Sequence, residues 1–369
     1  MGIVNRKRLI DTFCELSSID AISFEEREKA DYLKKELLKL DFQVMEDTAG
    51  ECYHSETGNL YAYKRGTGPE VLLSAHMDTV EPGRSIKVVI HENGRITSDG
   101  TTVLGADDNA GLTSIVEALR LIKEQNLPSR SVELLFTIGE EAYIRGSEVF
   151  DYRKIKAKEA YVLDLSGPIG TAAVKAPTLL FFEGKILGRA AHAGFAPKRG
   201  INAIQIAGNI IANLKQGRID EDTTVNIGCI KGGAGTNIVS PDCTFSGEVR
   251  SLDHERALQM VDHIEAITRQ RTMDAKASYE WKTSTGCIAY ETNPGSVTVR
   301  NLQKACEKLH IPCDLITTFG GSDNNNLMRH GIQGVVLACG MEKVHTCQEY
   351  TTVDSLEKST ELILELLHA

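Results

Sequence analysis

A chain of 369 residues exceeds the roughly 250–300 residues that one hydrophobic core usually organises, so two domains are expected. Its apolar fraction of 41% and charged fraction of 25% are those of a folded globular protein and exclude a disordered one. The formal net charge of -10, with no extended lysine or arginine block, argues against nucleic-acid or anionic-membrane partners.

Two bound divalent cations would add four positive charges and bring -10 to -6, so part of the acidity is explained if the chain holds metal. Nine cysteines, odd in number and never spaced Cys-x-x-Cys, fit reduced thiols better than a disulfide frame. The basic residues near the start are followed by no apolar run, and no stretch of about 18 apolar residues occurs. A cytoplasmic protein, neither secreted nor membrane-spanning, is the expectation.

In chain order, residues 8–16 read as a weakly amphipathic helix. Ser23-Phe-Glu-Glu26 has capping-box spacing and predicts a second helix running to about residue 40. Strands are expected at 42–45, 60–64 and 71–75, the last entered through the turn Gly66-Thr-Gly-Pro69. The run Val71-Leu-Leu-Ser-Ala-His76 reads as a buried strand that delivers a histidine to its carboxyl end.

Beyond it, Leu104-Gly-Ala-Asp107-Asp108 opens a helix over 109–125. Asp107 or Asp108 can cap that helix, and Leu112, Ile115, Val116, Leu119 and Ile122 recur at helical spacing. A strand at 131–138 ends in Gly139-Glu140-Glu141, one at 160–163 ends in Asp164, and one at 334–338 is followed by Gly340 and His345. Each of these groups follows a strand's carboxyl end, where open α/β sheets place their sites.

Residues 177–285 read differently. A strand at 178–187, a helix at 202–214, strands at 224–230 and 244–250, a helix at 253–269 and a strand at 278–282 give the order β-α-β-β-α-β, a ferredoxin-like signature. The expected organisation is a catalytic domain in two parts, 1–176 and 286–369, interrupted by a small inserted domain at 177–285.

A catalytic zinc usually takes three protein ligands and keeps a position for water, so two such metals need six contacts, or five residues if one carboxylate bridges. The strand ends offer five: His76, Asp107, Glu141, Asp164 and His345. Singly each has an ordinary reading, as a strand-end histidine, an N-cap, one of an exposed glutamate pair or a turn residue. Their shared placement favours the metal reading. Asp78, two residues after His76, can accept the other imidazole N–H and orient the ligand. Glu140 should point away from its neighbour, towards the space where water bridges the metals, and is assigned as general base and acid.

The elements Ser-Ala-His76-Met-Asp78-Thr-Val, Gly105-Ala-Asp107-Asp108-Asn-Ala-Gly111, Gly139-Glu140-Glu141, Asp164 and His345 resemble the di-zinc hydrolases that include peptidase T, acetylornithine deacetylase, succinyl-diaminopimelate desuccinylase and glutamate carboxypeptidases. The resemblance runs over nearly the whole chain in the family's order. It implies an α/β catalytic domain of the zinc-exopeptidase kind, a mixed central sheet flanked by helices, carrying a lid or dimerisation domain. Asp107 would bridge the metals, with His76 and Asp164 completing one site and Glu141 and His345 the other, and the Asp107–Asp108 peptide would be cis. The metals implied are zinc, with cobalt or manganese as alternatives.

In the inserted domain, Ala191-His192-Ala193-Gly194 resembles the segment whose histidine stabilises the oxyanion, often across a homodimer interface. Asn237 and Arg250 resemble substrate-binding residues, and Gly320-Gly321-Ser322-Asp323 resembles the family's glycine-rich loop near the substrate.

The chemistry expected is metal-assisted amide hydrolysis, in which a bridging water deprotonated by Glu140 attacks the carbonyl and Glu140 then protonates the leaving amine. By resemblance, an aspartate at position 164 goes with aminopeptidases. The substrate expected is therefore a short peptide, a tripeptide cut at its N-terminal residue. An N-acyl amino acid deacylase or dipeptidase on the same scaffold is the alternative, and a catalytically inactive peptide-binding protein is the alternative of another class.

Overall fold

The computed structural model describes residues 4–368, and the chain forms two compact units. Unit 1 takes the chain up to Lys175, Glu291–Thr318 and the stretch from Ser322 on; unit 2 takes Ala176–Tyr290 and Phe319–Gly321.

Unit 1 opens with helices α1 (Arg6–Ser18) and α2 (Arg27–Lys39), followed by strands β1 (Gln43–Glu46), β2 (Leu60–Lys64) and β3 (Val71–His76). Helix α3 (Ala106–Glu124) leads to β4 (Val132–Thr137), β5 (Glu159–Ser166) and β6 (Thr171–Ala176). The chain then builds unit 2 from β7 (Thr178–Leu187), α4 (Ala203–Asn213), β8 (Thr223–Gly232), β9 (Asp242–Ser251), α5 (His254–Asp274) and β10 (Ser278–Cys287). It returns to unit 1 with α6 (Val297–Leu309), α7 (Asp323–Arg329), β11 (Gln333–Met341) and α8 (Val353–Leu367).

The sheet of unit 1 runs β1-β2-β4-β3-β5-β11-β6. The pairs β4–β3, β3–β5 and β5–β11 are parallel, while β1–β2, β2–β4 and β11–β6 are antiparallel, so the central sheet is mixed. From β3 the chain goes to β4 on one side and later to β5 on the other. That makes the carboxyl end of β3 a topological switch point, and His76 is its last residue.

Side chains alternate between two cores with the strand period of two. Val71, Leu73, Leu134, Phe136, Tyr161 and Leu163 face one core, shared with Phe13 of α1, Ile115 of α3 and Leu356 of α8. Leu72, Leu135, Ala160 and Val162 face a second, with Phe150 and Leu327. Burial on both faces is why β3 and β4 carry nearly unbroken apolar runs.

In unit 2 the four long strands lie in the order β8-β9-β7-β10, all antiparallel. Numbered within the unit this is 2-3-1-4, the ferredoxin-like arrangement. Helices α4 and α5, N-capped by the side chains of Asn202 and Asp253, close a core around Phe182, Phe245, Ile206 and Ile264.

One local expectation gives way to tertiary demands, and a second holds on an irregular backbone. Ser23 and Glu26 do not form a capping box, because α2 begins at Arg27 and Glu26, at its N-cap, makes no side-chain cap bond. Ser23 Oγ instead donates to Asp78 Oδ2 at 2.6 Å, and Glu26 Oε1 accepts from the N–H groups of Phe24 and Gly139 at 2.8 and 2.9 Å. At the start of α3 the backbone of Asp107 and Asp108 is not helical. Asp108 Oδ1 accepts from Gly111 N–H at 3.0 Å as a cap does, which leaves the Asp107 carboxylate for other partners. The peptide between these two aspartates is cis, as the resemblance implied.

The nine cysteines are free thiols. Among the described residues no helix is long and apolar enough to cross a membrane.

Ile115 is fully buried on α3, so Ile115→Ala should lower stability by about 2–5 kcal/mol through lost burial and a residual cavity. Leu38→Ala, at a position 55% exposed on α2, should change it by about 0.5 kcal/mol or less. Urea unfolding followed by circular dichroism measures both, and equal midpoints for the two variants would refute the core assignment.

Candidate metal centre

Five side chains reach one space from separate elements. His76 ends β3, Asp107 opens α3, Glu141 follows β4, Asp164 lies in β5, and His345 is in the loop after β11. His76 Nε2 lies 3.0 Å from Asp107 Oδ1 and 3.9 Å from Asp164 Oδ1. His345 Nε2 lies 3.2 Å from Asp107 Oδ2 and 3.0 Å from Glu141 Oε1. Asp107 thus presents one carboxylate oxygen to each imidazole. Ligand atoms of His76, Asp107 and Glu141 lie within 4.8 Å of one another, as do those of His76, Glu140 and Asp164, so Glu140 stands at the inner half of the same space.

The turn that carries the two glutamates is held by buried acceptors. Asp78, fully buried, takes the N–H of Glu140 on Oδ1 at 3.0 Å and that of Glu141 on Oδ2 at 3.1 Å. His76 Nδ1 lies 3.0 Å from the Asp78 carbonyl and 3.4 Å from its carboxylate, so the nearer partner of the imidazole is the backbone oxygen. The carboxylate was the expected partner, and the main-chain oxygen lies closer. Gly139 has φ +55, and a Cβ there would collide with the Phe24 ring, so only glycine fits beside Glu140.

The electrostatics call for cations. Burial pushes the Glu140 and Asp164 carboxyls well above the usual range, and Asp164 and Asp107 respectively push the same way. Glu141 is raised by burial and by Asp107. Burial opposes a charge on His76, but Asp107 and Asp78 outweigh it and hold the imidazole well above its ordinary value. Hydrogen bonds to Asp107 and Glu141 push His345 up to about 10.

A buried set of carboxylates that holds protons on nearby groups is short of positive charge, and a divalent ion supplies it. The spacing fits as well. Ligand atoms bound at about 2.0–2.2 Å in tetrahedral geometry sit about 3.3–3.6 Å apart, within the 3.0–3.9 Å observed here. Oxygen and imidazole donors of this kind suit zinc, cobalt or manganese.

Sequence reasoning missed several supports. Glu349 accepts from three backbone N–H groups at Leu104, Gly105 and Asp107. Asp323, fully buried, accepts from Thr137 Oγ1 at 2.6 Å and Ser147 Oγ at 2.5 Å, on either side of the glutamate turn. Asn59 accepts from Ile138 N–H and donates to the Gly146 carbonyl, and Lys29 Nζ donates to Asn109 Oδ1 at 2.9 Å in full burial. Asp323 follows the Gly320-Gly321 pair, but nothing local tells such a group from a helix cap; only the fold brings it to β4.

The remaining sequence-derived site residues belong to unit 2. His192 is exposed, and its Nδ1 accepts from the N–H groups of Gly194 and Phe195, both at 3.1 Å. Asn237 is exposed, and its carbonyl accepts from Ala193 N–H at 2.9 Å. Arg250 on β9 pairs with Glu248 at 2.8 Å and donates to the Phe319 carbonyl at 2.8 Å, which brings it beside Gly320 and Gly321.

A switch-point cluster that would hold cations beside a buried glutamate is suited to activating water against a polar bond, the chemistry of a metal-dependent hydrolase. Residues 59–174 match the model of peptidase family M28, and residues 178–275 match that of the peptidase dimerisation domain of M20 enzymes. YqjE of Bacillus subtilis (strain 168), itself uncharacterised, is 37% identical over 367 residues, 99% of each chain. A tripeptidase of Staphylococcus aureus superposes with a TM-score of 0.95 at 35% identity, covering 99% of this chain and 98% of that one. Aminopeptidase PepT of Bacillus cereus ATCC 10987 superposes with a TM-score of 0.91 at 36% identity, covering 99% of both. The chain belongs to this peptidase T-like family of M20 metallopeptidases and is a metal-dependent peptidase.

His76→Ala and His345→Ala should each lower the metal retained per chain after dialysis, measured by inductively coupled plasma mass spectrometry. Wild-type metal content in both variants would show that the cluster is not the binding site.

Proposed function

We propose that this chain is a peptidase T-like aminopeptidase that removes the N-terminal residue of short peptides, tripeptides first, with two divalent ions. The observation that carries the reading is the division of the Asp107 carboxylate between the two histidines, 3.0 Å from His76 and 3.2 Å from His345. In this reading Asp107 bridges, His76 and Asp164 complete one site, and Glu141 and His345 complete the other. Zinc is the ion proposed, with cobalt or manganese as substitutes. When bound, the ions would polarise the scissile carbonyl and make the attacking water more acidic.

Glu140 takes the proton of that water and returns it to the departing amine. Its burial, which raises its proton affinity, suits a group that must hold a proton between the two steps. His192 is proposed as the oxyanion donor. Two N–H groups on Nδ1 require that nitrogen to be unprotonated, so a neutral ring carries its proton on Nε2, as a donor. Arg250, Asn237 and the Gly320-Gly321 backbone are proposed to bind the peptide, with the Arg250 guanidinium as the cation for its carboxylate end.

We propose in addition a homodimer formed through unit 2, which the match to a peptidase dimerisation domain supports. The outer edge of β8 agrees with it: Gly217–Arg218 pairs with only its first residues, and Ile230 further along is 51% exposed. Free thiols support a reducing, cytoplasmic place of work.

The test is turnover of a free tripeptide, a dipeptide and an N-acetyl amino acid, before and after chelation and with zinc, cobalt or manganese restored. Metal-restored release of the N-terminal residue from the tripeptide is expected. Activity confined to the acetylated amino acid would replace the aminopeptidase reading with a deacylase. Glu140→Ala should keep the bound metal and lose about 10²–10⁴-fold in kcat; near-wild-type turnover would remove Glu140 from its role.

A further inference from the structure

The loop between β11 and α8 does more than carry His345. Its ends are tied together, with Glu342 N–H donating to the Tyr350 carbonyl at 2.9 Å and Tyr350 N–H returning a bond to Glu342 at 3.0 Å. Inside it, Glu349 N–H donates to the Thr346 carbonyl at 3.0 Å, and Thr346 Oγ1 donates to the Lys343 carbonyl at 2.8 Å. His345 sits in the left-handed region at φ +61 and is 52% exposed, whereas Glu349 is 1% exposed. One side chain is at the surface of the loop and the other is buried beneath it.

Both side chains grip the same residue. His345 Nε2 meets Asp107 Oδ2 at 3.2 Å, and Glu349 Oε1 accepts from Asp107 N–H at 3.0 Å. Glu349 Oε2 accepts two further N–H groups, from Leu104 and Gly105, both at 2.8 Å. Three backbone donors on one buried carboxylate fix the 104–107 segment where no regular hydrogen-bond ladder does so.

We infer that Glu349 is a positioning residue of the metal centre, which locks the Asp107 backbone to the His345 loop and so fixes the outer half-site, formed by His345, Glu141 and Asp107. The inference rests on the reading of Asp107 as a ligand shared by two ions. The inner half-site shares only Asp107 with this lock, since its other ligands lie in strands, with His76 ending β3 and Asp164 inside β5. Glu349 touches no reacting atom in this role.

The experiment is titration of Co²⁺ into metal-free wild type and Glu349→Gln, followed by calorimetry. The amide keeps one oxygen and turns an N–H₂ group towards backbone donors, so the lock is broken with little change in shape. Two ions per chain are expected for wild type. In the variant the outer ion should bind about 10–100-fold more weakly, and the inner ion, which shares only Asp107 with the lock, should lose distinctly less. Adding His345→Ala should then cost the weak site little more, because both changes act on one half-site.

Unchanged affinity at both sites, or equal weakening at both, would overturn the inference while leaving the two-metal reading intact. A wild type that binds no ion would overturn both.

Hydrogen exchange on the metal-free wild type provides a check that needs no variant. The 104, 105 and 107 amides should be protected like those of β3. Rapid exchange there would overturn the lock even if Glu349→Gln failed to fold.

Discussion

The structure turns on how Asp107 can keep a charge in a place that disfavours charge. Burial alone would raise its carboxyl, yet hydrogen bonds from His345 and His76 hold it well below the ordinary carboxylate range. Its neighbours Glu140, Asp164 and Asp108 lack such partners in sufficient number and are raised instead, each by burial first. A group of carboxylates that cannot all ionise together is a poor core but a strong cation trap. The strands, turns and outer loop of unit 1 act to keep these like charges from moving apart.

That restraint is exerted on the backbone. The turn after β4 is tied by Asn59 at Ile138, Glu26 at Gly139 and Asp78 at Glu140 and Glu141, with Asp323 fastening Thr137 and Ser147 at its ends. Tyr143 and Ile144 in this turn have φ of +75 and +62, a left-handed conformation that costs each side chain about 1–3 kcal/mol. Such a turn would relax to another shape if its amides were free. Because buried carboxylates and an amide take those N–H groups, leaving the strained shape would strand acceptors as well as donors, at about 1–3 kcal/mol for each. The strain and the bracing oppose one another at the residues that need fixed positions.

What could be read from the sequence divides along the same line. The five candidate ligands, Glu140 and Asp78 could be singled out because each follows a strand's carboxyl end, and strands announce themselves through apolar runs. The ferredoxin-like order of unit 2 was legible because its strands alternate and its helices carry Asn202 and Asp253 as caps. Ser23 and Glu26 were misread because a serine three residues before a glutamate has one meaning for a helix in isolation. The same pair can also serve a distant carboxylate and a distant amide, and no local pattern separates these uses. Glu349 and Asn59 left no signal of these roles, and Asp323 only its place after the glycine pair, since the partners named above lie 79 to 245 residues away.

Asp108 shows how closely these demands are packed into adjacent positions. Its carboxylate caps α3 through Gly111 and also accepts His76 N–H at 3.2 Å, while Asp107 beside it turns its oxygens to the two imidazoles. A carboxylate that caps the helix and one turned to two imidazoles cannot both follow helical geometry on neighbouring positions, and the backbone at 107 and 108 is non-helical. Helix α3 supplies the rest of the explanation. Buried along almost its whole length, it cannot shift to relieve its first turn. The irregular start is therefore held in place by the most regular part of the fold, and the pair of aspartates can be irregular because the nineteen-residue helix behind them is not free to move.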